Sequence, residues 1–178
     1  MMARIVTISG SPSPSSRTKA VVEYIKGLPA AKGWQTDSIE VRELPPEDLV
    51  YARFDSPAVQ NTARLLEKAE GVIIATPVYK ASYAGLLKAY LDLLPQDVLA
   101  GKVVWPIAVG GTLAHLLVID YALKPVLYAL GAQNVLSGVY IHDRWIRRYQ
   151  EKILLEGEAE ERIRTSLERF VRNLTQRE

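Results

Sequence analysis

Short apolar runs alternate with stretches in which apolar residues recur every three or four positions, and this alternation carries on along the whole chain. Arg4–Ile8 is a β-branched run that reads as a first strand, ended by Gly10. From Ser16 to Lys26 the residues Val21, Tyr24, Ile25 and Leu28 fall on one stripe of a helix. Thr36–Val41 alternates weakly, as a second strand would. Pro45 and Pro46 oppose regular hydrogen-bonded structure, so a loop is expected up to Ser56-Pro57, which starts a helix whose inward stripe is Val59, Thr62, Ala63 and Leu66. Gly71–Ala75 and Val103–Val109 are continuous apolar runs, the pattern of strands covered on both faces. Between them, Ala84–Leu94 has helical spacing at Leu87, Tyr90, Leu91 and Leu94 and is stopped by Pro95. A long helix is expected from about Ala114 to Leu130, closed by Gly131. Val135–Tyr140 is a fifth strand, Asp143–Gly157 has no clear period, and Glu158–Asn173 is an amphipathic helix carrying Ile163, Leu167, Phe170, Val171 and Leu174.

Five β–α repeats without a linker predict one α/β domain over residues 1–178. Parallel strands need a crossover of helical length, and right-handed crossovers place helices on both faces of the sheet. The expected architecture is a flavodoxin-like three-layer sandwich, a five-stranded parallel sheet in the order 2-1-3-4-5, with ligands at the C-terminal ends of the strands. In that order strands one, three and four are neighbours, so the loops that follow them surround one site.

Each of those loops has distinctive chemistry. The first, Ser9–Thr18, supplies the hydroxyls of Ser9, Ser11, Ser16 and Thr18, the guanidinium of Arg17 and the amides of a helix N-terminus. Unpaired amides, the helix dipole and a charge-assisted donor together suit a phosphate. A serine-rich loop also caps a helix with no ligand at all. The segment lacks the Gly-Lys-Ser/Thr of a P-loop and the Gly-x-Gly-x-x-Gly of a dinucleotide fingerprint. In the second loop Pro77 keeps the chain extended, so that backbone amides of Val78, Tyr79 and Lys80 can meet the edge of a planar ring; a plain turn with two packed tyrosines is the other reading. In the third, Gly110-Gly111-Thr112, paired glycines let backbone approach a flat ligand, or else make a tight turn at positive φ. Taken together, a phosphate pocket beside two ring-edge loops fits a mononucleotide with a large flat heterocycle, and FMN is the candidate.

Composition removes several alternatives. The chain has no cysteine, hence no disulfide, thiolate metal site or cysteine phosphatase. Its two histidines, His115 and His142, lack carboxylates at ligand spacing, so no metal is expected. A net charge of +2 is too small to argue for nucleic acid. The basic-aromatic cluster Arg144, Trp145, Arg147, Arg148 and Tyr149 suits a subunit contact first and a solvated surface second. The apolar run Ile5–Ile8 is too short for a signal segment, and no stretch is long enough to cross a bilayer, so a cytoplasmic protein is expected.

At the segments Gly10-Ser-Pro with Ser16-Arg-Thr18, Leu49–Pro57, Ala75–Tyr83, and Gly110–Leu117 running into Asp120–Val126, the sequence resembles the NADPH-dependent FMN reductase family. It is closest there to the branch that supplies reduced flavin to alkanesulfonate monooxygenases. The resemblance implies FMN and NADPH as cofactors, hydride transfer to flavin N5 with no side chain needed as acid or base, homodimers or homotetramers, and an FMNH2-dependent monooxygenase partner in a two-component system. Many members carry an arginine where this chain has Ser13, and Arg17 is the residue left to contact the phosphate. An enzyme that retains FMN and reduces quinones or azo dyes, or a flavodoxin-like electron carrier, shares the fold; carriers are usually acidic, unlike this chain. Pro125 has no N–H, so the carbonyl of Tyr121 loses its helical partner, which favours either a kink or a π-bulge. In the resembling branch a tyrosine at this point accompanies a π-helix at a subunit interface near the flavin.

Overall fold

Nine strands and six α-helices are built from these patterns in the computed structural model, which describes residues 3–149 and 152–176. In chain order the strands are β1 (Arg4–Ser9), β2 (Gln35–Glu40), β3 (Gly71–Tyr79), β4 (Ser82–Tyr83), β5 (Val103–Gly110), β6 (Asn134–Val135), β7 (Val139–His142), β8 (Ile146–Tyr149) and β9 (Lys152–Leu155). The helices are α1 (Arg17–Lys26), α2 (Pro46–Val50), α3 (Pro57–Glu67), α4 (Gly85–Leu91), α5 (Lys124–Ala129) and α6 (Glu158–Thr175). The main sheet runs β2-β1-β3-β5-β6, all parallel, with β7 also parallel to β5 and β4 antiparallel to β3. This is the flavodoxin-like order 2-1-3-4-5.

The sheet counts seven strands instead of five because two expected units are subdivided. The fifth strand is cut into β6 and β7 at Gly138, whose φ of +83° no extended strand tolerates. The third strand runs on past Pro77, which pairs with Val109, and folds back as the β3–β4 hairpin.

Both sheet faces are covered, which explains the unbroken apolar runs. Val72 and Ile74 face the layer of α3, α4 and α5 with Leu66, Leu87 and Leu127, whereas Ile73 and Ala75 face α1 and α6 with Ile25, Ile163 and Phe170. Trp105 lies on Phe170 at 5.6 Å between ring centroids. The expected inward stripe of α3 is buried in full, at Val59, Thr62, Ala63 and Leu66.

Three further expectations change. The loop after Pro45 contains α2, because Pro46 occupies the first helical position, where a missing N–H costs nothing. The helix expected from Ala84 to Leu94 ends at Leu91. The helix expected from Ala114 to Leu130 is three pieces: a 3₁₀ turn at Leu113–His115, a π-helical turn at Ile119–Leu123, and α5. The region left without a period forms a 3₁₀ turn at Asp143–Trp145 and the β8–β9 hairpin. Among the described residues no helix is long and apolar enough to cross a membrane.

Candidate functional site

The first loop leaves β1 at Ser9, which is buried and whose Oγ has no hydrogen-bond partner among the described residues. Gly10 then passes beneath α4. Its amide bonds the Ala75 carbonyl at 2.8 Å, and a Cβ there would stand 2.6 Å from that of Leu87, so only glycine fits. Ser11 Oγ accepts from the Ser13 amide at 3.3 Å and bends the chain back toward α1. Ser16 caps α1, its Oγ accepting from the Lys19 amide at 3.2 Å. The amides of Arg17 and Thr18 have no intrahelical carbonyl to bond, and no acidic residue sits in this first turn to compete for them. That leaves a donor set suited to an anion.

The second loop is a two-residue hairpin. Lys80 and Ala81 have φ of +49° and +65°, the left-handed pair that a tight β-turn of matching twist demands. Neither is glycine, so the turn is strained. Thr76 Oγ1 accepts from the Ala84 amide at 3.0 Å and ties the hairpin base to α4. Tyr79, at the end of β3, is 50 % exposed.

Gly110 and Gly111 differ in their reasons. Neither adopts positive φ, so the tight-turn explanation does not hold. A Cβ on Gly110 would overlap the Tyr140 hydroxyl and lie 3.3 Å from Val78 Cβ. That hydroxyl donates to the Thr112 carbonyl at 2.6 Å and anchors the third loop. Burial pushes the Tyr140 hydroxyl above its ordinary titration range, keeping it a donor. A Cβ on Gly111 would meet only Asp143 Oδ2, at 3.9 Å, and otherwise open space.

These loops meet in one cleft of about 400 Å³, within the range of small-molecule sites. Ser11, Ser16, Arg17 and Thr18 line it from the first loop, Pro77, Val78 and Tyr79 from the second, and Gly110 and Gly111 from the third. Ser9, Lys80 and Thr112 lie outside the lining. Ser9 is buried at the end of β1, Lys80 is exposed in the hairpin turn, and the Thr112 hydroxyl accepts from the Ala114 amide at 3.2 Å. Four lining residues escape sequence reasoning: Ser13, Ser15, Val109 and Asp143. The last follows β7, which lies beside β5, so the same rule of adjacent strand ends would have pointed to it had that strand's end been located.

Arg17 is held across the cleft by Asp143, Nη1 to Oδ2 at 2.7 Å. Tyr121 lies in the π-helical turn, where the Lys124 amide bonds the Ile119 carbonyl five residues back. Its side chain is 78 % exposed, in company with exposed Leu113, Leu116 and Leu117.

Comparison with known proteins identifies the family. The sequence profile of NADPH-dependent FMN reductases matches residues 3–146. The chain is 45% identical to an FMN reductase (NADPH) of Escherichia coli, over 98% of this chain and 92% of that protein. It is 46% identical to an FMN reductase (NADPH) of Pseudomonas putida, over 93% of this chain and 85% of the other. A solved structure of an NADH:FMN oxidoreductase in its apo form superposes with a TM-score of 0.86 at 35% identity, covering 98% of this chain and 91% of that one.

Proposed function

The chain belongs to the NADPH-dependent FMN reductase family, and from that premise we propose that its cleft brings FMN and a reduced nicotinamide together as an NAD(P)H-dependent FMN reductase. One observation carries the reading. Loops from three adjacent parallel strands wall a single cleft that combines a helix N-terminus, an arginine, a tyrosine and side-chain-free backbone. The donor set of the first loop has the chemistry for the flavin phosphate, with Ser11, Ser16 and Thr18 hydroxyls, the first-turn amides of α1 and Arg17 as its holders. The open backbone at Gly111 and the ends of β3 from Pro77 to Tyr79 would hold the ring system in plane. The bound pair supplies hydride transfer from nicotinamide to flavin N5. The protein's part is to fix two rings face to face and exclude water from between them, which requires no side chain to gain or lose a proton.

We extend the reading to release of reduced FMN toward an FMNH2-dependent monooxygenase of sulfonate sulfur assimilation, in the cytoplasm where NADPH is maintained. The support for that step is the sequence resemblance together with an open cleft whose one lining cation, Arg17, remains over half exposed. We read exposed Tyr121, Leu113, Leu116 and Leu117 as a subunit contact in a homodimer or homotetramer, since several large apolar side chains left in water along one short segment mark a contact surface. Relatives named for NADPH and a structural neighbour named for NADH both exist, and NADPH is taken from the nearer sequences.

The test is oxidation of NADPH by the purified chain as free FMN is added, with quinone turnover measured alongside. Steady oxidation that rises with FMN and saturates is expected. Turnover of quinone with no response to added FMN would replace this reading with a flavin-retaining reductase, and no steady oxidation at all would replace it with a carrier.

A further inference from the structure

Among the described residues the walls of the cleft carry one cation, Arg17, and one anion, Asp143, and the two are bonded to each other. The contact joins the loop after β1 to the turn after β7, 126 positions apart in the chain. Arg17 is the first residue of α1, whose N-terminus lines the cleft, so it is also the group that an incoming phosphate would use. Both side chains keep access to solvent, at 59 % and 31 % of their surface. Asp143 starts the 3₁₀ turn after β7, which His142 caps by accepting from the Arg144 amide; its Oδ1 lies 3.2 Å from the same His142 Nδ1, which can donate to it only when that nitrogen carries the proton. Asp143 is therefore an anion already seated on the cation that a phosphate would use.

We propose that Asp143 sets the affinity for flavin phosphate by competing with it for Arg17. The inference rests on the FMN reading of this cleft and deepens it. A phosphate that enters must either take the guanidinium from Asp143 or share it, with two anions then facing each other across a few ångströms. Either course weakens binding of the phosphorylated flavin without touching the ring. The pair also ties Arg17 to the wall opposite its own loop, so the cation is poised but not free. This is a device for moderate hold, suited to a flavin that leaves after each reduction.

The experiment compares Asp143→Asn with the natural protein for binding of FMN and of riboflavin, which lacks the phosphate, by quenching of flavin fluorescence. The amide keeps the size of the side chain and removes its charge. FMN affinity is expected to rise about 3- to 10-fold, the range for a partly exposed ion pair plus relief of repulsion, while riboflavin affinity stays the same. In an Arg17→Gln background the gain is expected to shrink to the part that comes from relief of repulsion, because there is no cation left to release. Unchanged or weaker FMN binding in Asp143→Asn, an equal change for riboflavin, or a gain left undiminished in Arg17→Gln would each overturn the proposal. A natural protein that binds riboflavin and FMN equally would instead overturn the phosphate assignment of the first loop, and one that binds neither would overturn the flavin reading itself.

Discussion

Gly110 and Gly111 are adjacent in sequence, yet the structure assigns them opposite consequences when each gains one methyl group. At Gly110 the new Cβ would collide with the Tyr140 hydroxyl and press on Val78. The tyrosine is 6 % exposed and its hydroxyl is committed to the Thr112 carbonyl, so it cannot swing away without giving up that bond. Overpacking of this kind costs about 1–3 kcal/mol and the lost hydrogen bond about 1 kcal/mol, so Gly110→Ala should lose about 2–4 kcal/mol. For a chain of this length that is a fall in Tm of roughly 5–15 °C. At Gly111 the Cβ meets nothing closer than 3.9 Å and the backbone is not left-handed. Gly111→Ala should therefore fold as well as the natural protein, within about 0.5 kcal/mol. Its methyl instead intrudes on the cleft, and FMN binding should weaken about 10-fold, or about 1.4 kcal/mol. Thermal melts and flavin titrations on both variants check this directly. Equal stability losses at the two positions, or undiminished flavin binding by Gly111→Ala, would refute the division of roles.

Three other outcomes follow from local physics. Ala81→Gly should gain about 1 kcal/mol in denaturant unfolding, because glycine relieves the left-handed strain at φ +65° in the hairpin turn; a loss would mean the turn is not strained there. Glu160 is held below the ordinary glutamate range, chiefly by its bond to Arg164 and then by the Tyr24 hydroxyl. A carboxylate whose folded pKa is depressed stabilises above its unfolded value and loses that contribution as pH falls through the folded one, so the midpoint of urea unfolding should drop less between about pH 7 and about pH 3 in Glu160→Gln than in the natural protein. Identical slopes would count against it. Tyr121→Ser should leave far-ultraviolet circular dichroism intact and lower the mass found by sedimentation, since the side chain is 78 % exposed on the face read as a subunit contact; an unchanged mass removes Tyr121 from that contact.

Most of the sheet was legible because its signals are local and strong. Val103–Val109 and Gly71–Ala75 are apolar without interruption, and helices placed on both faces bury them as such a run requires. The stripe Val59, Thr62, Ala63 and Leu66 was readable for the same reason. What periodicity could not convey were breaks made by single backbone conformations. Nothing in the sequence 135–140 marks that Gly138 will take φ +83° under Ile119 and Pro106, whose atoms would crowd any Cβ there. Similarly, the segment 114–130 has helical spacing throughout, while Pro125 and the π-helical turn before it divide it. In the cleft, the loops after β1, β3 and β5 were found through topology and chemistry combined. Asp143 was missed because the strand before it was expected to end at Tyr140, whereas β7 runs to His142 beside β5 and brings the next residue to the cleft. Gly110 was noticed for a reason that proved secondary: its missing side chain accommodates Tyr140.

The central claim is that the cleft walled by the loops after β1, β3 and β5 is the flavin site. A crystal structure of the chain grown with FMN tests it most directly. The phosphate is expected at the first turn of α1 within hydrogen-bonding reach of Ser16 and Arg17, and the ring system between Tyr79 and Gly111. Flavin bound elsewhere, for example in the groove between Ser137 and Arg169, with this cleft left empty would contradict it.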